Sequence, residues 1–289
     1  MPAESFTRAV RGLPGVAPEP GATKPNPIIV ADGVVRRFGG ITAVDVAHLE
    51  FEANAITALI GPNGAGKTTL FNLLTGFDTP DEGQWSMFGD SLAGIPAYQV
   101  ARKGMVRTFQ LTKALSKMTV IDNMKLGAKH QRGERLLDAL RTSSWRSQER
   151  AIEARAESLL ERFNLAHMRN EFAGTMSGGQ RKLLEMARAL MTEPALIMLD
   201  EPMAGVNPAL TQSLLGHVKA LADDGLTVIF VEHDMDVVRD ISDWVVVMAE
   251  GKVIAEGPHE AIGRNQQVID AYLGSQHAAL TSDEPGGEA

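Results

Sequence analysis

The chain has 289 residues, no cysteine, 44% apolar residues and a formal net charge of −8. The missing cysteines exclude disulfides, thiolate catalysis and cysteine-ligated zinc and fit a reducing compartment, while the acidic balance, with no Lys/Arg-rich block to offset it, argues against a nucleic-acid partner. The apolar content can fill one large core. With no run of roughly eighteen or more apolar residues and no signal-peptide core, the expectation is a chain that does not itself span a membrane and stays in the cytoplasm.

In chain order, residues 1–27 carry six prolines, several glycines and no apolar periodicity, the composition of a flexible extension. Two β-rich segments, Ile28–Val30 and Val44–Val46, flank a turn at Arg37-Phe38-Gly39-Gly40. Ala55–Ile60 is a short apolar run of the kind that forms a buried strand. It leads into Gly61-Pro62-Asn63-Gly64-Ala65-Gly66-Lys67-Thr68-Thr69, which fits the phosphate-binding pattern G-x-x-x-x-G-K-[ST] at every fixed position. The glycines let the backbone turn tightly and aim successive N–H groups at a polyphosphate. Lys67 is expected to reach the β and γ phosphates, Thr68 to place its hydroxyl on Mg²⁺, and the following helix to offer its positive end. A plain glycine turn would leave Lys67 and Thr68 unexplained.

Further on, Thr79–Gly83 is a turn by composition, Gln84–Phe88 a strand, and Met105–Phe109 a strand that delivers Gln110 to the loop beyond. A helix is expected to start within Met118–Asn123. Residues 128–170 are helical in pattern, and the Lys/Arg content of 125–150 reads as a solvated helix face rather than a nucleic-acid or lipid patch, because acids are interleaved with it. Thr175-Met176-Ser177-Gly178-Gly179-Gln180 precedes an amphipathic helix over Arg181–Met191, so Ser177 and the two glycine amides stand at a positive helix end. Ala195–Leu199 is an apolar strand that ends in Asp200 and Glu201, whose carboxylates should point to opposite faces and do different work. A last apolar strand, Thr227–Val231, is followed by Glu232-His233-Asp234.

These motifs, in this order, resemble the ATP-binding-cassette (ABC) ATPases over roughly Ile28 to Gly274. The Walker A motif is Gly61–Thr69, the glutamine loop is centred on Gln110, the signature is Ser177–Gln180, the Walker B motif is Ile197–Glu201, and the switch histidine is His233. The resemblance implies an α/β fold, a P-loop core with an antiparallel β subdomain and an α-helical subdomain at about 112–190. It also implies Mg-ATP as the ligand. Phe38 then stacks on adenine, although a buried strand-end phenylalanine is the competing reading. Gln110 contacts Mg²⁺ and the attacking water, Asp200 holds Mg²⁺ through water, Glu201 polarises that water, and His233 binds the γ-phosphate. The signature meets the nucleotide of a second cassette, so a complete site takes two ATPase subunits, homo- or heterodimeric.

Met203–Pro208 departs from the family pattern, since Asn207 stands where an aspartate is usual and keeps its hydrogen-bonding shape without its charge. The Gly-x-Asn-Pro form, Arg107-Thr108-Phe109-Gln110 and Ala271-Tyr272-Leu273-Gly274 are similar to the branch that energises branched-chain amino-acid importers. That branch implies membrane permease partners, a substrate-binding protein engaged indirectly, and a place at the cytoplasmic face of the inner membrane. Related subunits serve urea import or lipopolysaccharide extraction. The alternative from another class is a soluble cassette of translation or DNA maintenance, disfavoured by the single cassette and the lack of a long coiled coil. Residues 275–289 read as a disordered acidic tail.

Overall fold

The computed structural model describes residues 12–108, 115–129 and 142–281. β1 (Pro27–Phe38) and β2 (Ile41–Glu52) make a hairpin about Gly39-Gly40, and β3 (Ile56–Ile60) runs into the P-loop and α1 (Lys67–Leu74). β4 (Glu82–Met87), β5 (Asp90–Ser91), α2 (Ala97–Arg102) and β6 (Met105–Arg107) follow. Then come α3 (Val120–Lys125), α4 (Thr142–Arg162), α5 (Gly178–Leu190), β7 (Leu196–Asp200) and α6 (Pro208–Asp223). The chain continues through β8 (Thr227–Val231), α7 (Met235–Ile241), β9 (Trp244–Ala249), β10 (Lys252–Gly257), α8 (His259–Ile262) and α9 (Gln266–Thr281).

Among the described residues there are two sheets: an antiparallel one in the order β2-β1-β4-β5, and a six-stranded one in the order β10-β9-β3-β8-β7-β6. In the larger sheet β6, β7, β8, β3 and β9 are parallel, and β10 closes one edge antiparallel to β9. Every residue of β3, β7 and β8 is buried, as expected of parallel strands covered on both faces, which is why they read as unbroken apolar runs. Alternate residues divide between two cores. Ala58, Ile60, Phe230 and Val247 face one core with the helices, while Leu59, Ile229 and Val246 face the other, which α1 and the antiparallel sheet complete. The carboxyl ends of β3, β7 and β8 therefore converge at one edge, the edge where parallel α/β sheets place their ligands. The helical layer of α3, α4 and α5 packs on itself through Met124, Leu160, Phe163 and Leu184.

Two expectations about the chain ends need correcting. Residues 12–27 are not a free extension. Leu13 and Val16 pack on the core shared by the two sheets, and Ala22 and Lys24 are buried. Lys24 Nζ meets Glu256 Oε2 at 2.6 Å with both side chains almost wholly enclosed. Glu256 also accepts the N–H groups of Gly21 (2.7 Å) and Ala22 (3.0 Å) and the Trp244 indole N–H (2.8 Å), and the Lys24 amide donates to Glu50 at 2.5 Å. At the other end, α9 runs on to Thr281, past the Gly274 where the tail was expected to begin. Residues 1–11 and 282–289 lie outside the described residues, as do positions 130–141 of the expected helical stretch.

Candidate active site

The P-loop turns on Gly61, with φ at +146°, where a Cβ would fall 2.0 Å from the Met248 carbonyl oxygen of β9. No other residue type fits that approach. α1 starts after Gly66, itself left-handed, with no side-chain cap, so the first N–H groups of the helix are left for a ligand. Lys67 is buried and its ammonium donates to the carbonyls of Gly61 (2.7 Å) and Pro62 (2.9 Å). Burial pulls its pKa below the ordinary lysine value, and the negative charges of Glu201 and Asp200 oppose that shift. The stretch Asn63–Thr69, with Glu201 and His233, lines a cleft of about 300 Å³.

The Walker carboxylates diverge, but not by strand alternation. β7 ends at Asp200, and Glu201 already lies in the left-handed region with φ +46°. That turn, pinned by the Glu201 N–H on the Val231 carbonyl at 3.0 Å, sends its side chain into the cleft. There Glu201 Oε1 lies 3.0 Å from His233 Nε2. Asp200 is buried. Its Oδ2 accepts from Arg107 at 2.6 Å, while Oδ1 is buried without a partner among the described residues. An enclosed carboxylate oxygen with nothing to accept from is an acceptor for a cation's water shell. One carboxylate and the Thr68 hydroxyl suit Mg²⁺, which takes few protein ligands and completes its shell with phosphates and water. Asp200 also borders a separate cavity of about 20 Å³, room for a single water.

The signature motif stands apart from this cleft. Ser177 caps α5 in a reciprocal pair: its hydroxyl accepts the Gln180 backbone N–H at 3.2 Å, and the Gln180 side-chain oxygen Oε1 accepts the Ser177 N–H at 2.9 Å. Gly178 faces open space, whereas a Cβ on Gly179 would lie 1.7 Å from Leu210 on α6. None of Ser177, Gly178, Gly179 or Gln180 lines the P-loop cleft. Asn207 has a local task as the N-cap of α6, its side-chain oxygen accepting the Leu210 N–H at 3.0 Å. Phe38 ends β1 half exposed, with the Arg36 guanidinium 4.7 Å from its ring centre, so it is not a core residue. Gln110 lies outside the described residues.

Some side chains that hold the site together carry no motif signal. Lys182 on α5 donates to the carbonyls of Glu201 (3.1 Å), Pro202 (2.9 Å) and Ala204 (2.6 Å), fastening the signature helix to the end of β7. Glu232, buried, accepts the Met203 N–H at 2.8 Å, and burial raises its pKa against that bond. Tyr272 on α9 is half-buried, which raises its phenol pKa, and the neighbouring Gly61 backbone opposes that shift, so the C-terminal helix lies beside the first residue of the P-loop.

A parallel sheet with a P-loop at its carboxyl edge, a Walker carboxylate pair and a capped signature helix define the ABC ATPase cassette. A family model described as ABC transporter matches residues 44–204, and the chain belongs to this family, whose members hydrolyse ATP to power transport. A second model, described as Branched-chain amino acid ATP-binding cassette transporter, matches residues 252–278. Among curated relatives, the chain is 42% identical over 251 residues to the high-affinity branched-chain amino acid transport ATP-binding protein BraF of Pseudomonas aeruginosa, covering 86% of this chain and 98% of that one. It is 42% identical over 252 residues to the LivG protein of Escherichia coli K12, with the same coverage, and 39% identical to a probable LivG of Archaeoglobus fulgidus over 88% and 98% of the two chains. Of solved structures, a nucleotide-free ATP-binding cassette from an ABC transporter superposes with a TM-score of 0.74 at 36% identity, covering 85% of this chain and 98% of that one. The ADP conformation of such a cassette gives 0.74 at 35%, covering 86% and 99%. No helix among the described residues is long and apolar enough to cross a membrane.

Proposed function

We propose that this chain is the ATP-hydrolysing subunit of an importer for branched-chain amino acids, bound peripherally to the inner face of the membrane through permease subunits. The observation that carries the cargo is the match of the branched-chain model to residues 252–278, beyond the 44–204 covered by the general ABC transporter model. The relatives' names agree with it.

In this reading the P-loop amides of Asn63–Thr69 cradle the triphosphate, Lys67 leaves its loop carbonyls for the β and γ phosphates, and Phe38 offers its exposed ring to adenine. Thr68 and Asp200, with Gln110 in the role the family gives it, hold Mg²⁺, whose part is to neutralise charge on the transferring phosphoryl group. Glu201 takes the proton of the attacking water, and His233, 3.0 Å away, orients Glu201 and reaches the γ-phosphate. The work is positioning and charge stabilisation rather than covalent chemistry. Because Ser177–Gln180 stand outside the chain's own cleft at the start of α5, they serve the ATP of a second cassette, and two chains close on two nucleotides. The motion of the cassette reaches the permease through the segment around Gln110.

Reconstitution with the permease and binding protein tests the cargo. Leucine, isoleucine or valine should stimulate ATP hydrolysis. Stimulation by urea, or by none of these, would replace the cargo and leave the ATPase reading standing.

A further inference from the structure

β6 ends on Arg107, and its guanidinium joins three elements. Nη2 donates to Asp200 Oδ2 on β7 at 2.6 Å, and Nη1 donates to Asn72 Oδ1 on α1 at 2.6 Å. The guanidinium carbon lies 5.4 Å from the ring centre of Phe71, and the Arg107 and Asp200 side chains are each 4% exposed. An arginine facing a carboxylate commonly takes both oxygens with its fork. Here one arm of the fork goes to Asn72, on the helix that follows the P-loop. Asp200 is consequently gripped through Oδ2 alone, and Oδ1 remains a buried acceptor without a partner among the described residues.

We propose that Arg107 is the positioning residue of the metal-holding carboxylate, fixing Asp200 so that Oδ1 is presented to the hydration shell of Mg²⁺. This rests on the reading of Asp200 as the Mg²⁺ carboxylate. Two effects of Arg107 oppose each other. Its charge repels a divalent cation nearby, and its grip removes the rotational freedom of the carboxylate and gives a buried anion its counter-charge. The second prevails because Asp200 is enclosed: a carboxylate cut off from water needs a partner to stay charged and oriented. Partners of metal-ligating carboxylates are worth about 10–100-fold in metal affinity when removed. Lysine cannot do the same work, since a single ammonium does not span Asn72 and Asp200 with fixed planar geometry. The segment carrying Gln110 also departs from this point, since Thr108 follows at once and its N–H is held by the Met198 carbonyl at 2.9 Å.

The experiment measures ATP affinity of the full chain with Mg²⁺ and in EDTA, for wild type, Arg107→Met, Arg107→Lys and Asp200→Asn. The ratio of the two affinities is the metal-dependent gain. Arg107→Met should lose about tenfold or more of that gain while its metal-free affinity stays within about twofold of wild type. Arg107→Lys should lose part of it, and it serves alone if the methionine variant fails to fold. A gain preserved in the Arg107 variants overturns the proposal. So does an equal loss with and without metal, which would make Arg107 a brace of α1 and nothing more. If wild type and Asp200→Asn show the same gain, it is the assignment of Mg²⁺ to Asp200 that fails, and the role of Arg107 falls with it.

Discussion

Lys24→Met removes one charge from a pair that is closed to solvent, and the structure allows the cost to be bounded. Truncating one partner of a buried ion pair typically destabilises by about 3–5 kcal/mol, because the other charge stays buried. Glu256 would keep three N–H donors, from Gly21, Ala22 and Trp244, so the lower end, about 3 kcal/mol, is expected. Solvent screening cannot reduce it, as the side chains are 1% and 0% exposed. Methionine is unbranched like lysine and one atom shorter, so it replaces the stem beside Trp244, though the cation above that ring, at 5.1 Å, is lost. At about 2–4 °C per kcal/mol for domains of roughly 150–250 residues, the melting temperature should fall by roughly 6–12 °C, toward the lower end for this longer chain. Scanning calorimetry at neutral pH reads it directly. Glu256→Gln should cost a similar amount, and the double variant should recover much of the loss, since no unpaired charge then remains. A Lys24→Met melting point within about 2 °C of wild type would refute the reasoning and return residues 12–27 to the status of a dispensable extension.

Three further outcomes are expected. Glu201→Gln keeps size and hydrogen-bonding reach but cannot take a proton, so it should bind Mg-ATP at least as tightly as wild type and hydrolyse it about 10²- to 10⁴-fold more slowly in single turnover. It should also accumulate as a nucleotide-bridged dimer on sizing columns, and near-normal turnover would pass the base role to His233. Mixing Lys67→Ala chains, which should not bind ATP, with Ser177→Arg chains should restore part of the lost activity if homodimers form, because both lesions then meet in one composite site. Activity no higher than either parent, with mixed dimers demonstrated, contradicts a signature acting across the interface. Finally, His217 is buried, stacked on Phe163 with ring centres 4.5 Å apart, and burial pushes its pKa down from 6.5 to about 4. The unfolded chain binds that proton first, so stability is full above about pH 6.5 and declines by about 3 kcal/mol as the pH falls toward 4. His217→Leu should flatten that limb in urea titrations run across the range; an unchanged slope would assign it to other groups.

The sequence signals that proved readable were local. The unbroken apolar runs at Ile56–Ile60 and Thr227–Val231 announce buried parallel strands, and the P-loop is legible as one contiguous motif, although the Met248 carbonyl that demands glycine at position 61 lies far along the chain. What stayed hidden depends on partners far away in sequence. Nothing near Lys24 forecasts a partner 232 residues on, and proline-rich composition looks the same whether a segment is loose or strapped to a core. Arg107 reads as an ordinary strand-end charge until the pairing of β6 with β7 sets Arg107 opposite Met198 and brings Asp200 within its reach. The direction of Glu201 was expected from pleat alternation, yet it comes from a left-handed residue that no periodicity encodes. Asn207 and Ser177 show the reverse: motif letters proposed to act across an interface also serve as caps within the chain.

The strand that carries the P-loop has both its neighbours far downstream, with Ile56 beside Val228 and Thr57 beside Trp244. On the ribosome, at about 5–20 residues per second, that leaves roughly 9 to 34 seconds in which β3 exists with neither edge covered. Its five residues are all apolar or β-branched and carry no charge, the composition that pairs readily with other chains. The nucleotide pocket is thus among the first parts of the protein to be synthesised and among the last that can form, and nascent-chain yield should depend on what shields Ile56–Ile60 during that interval.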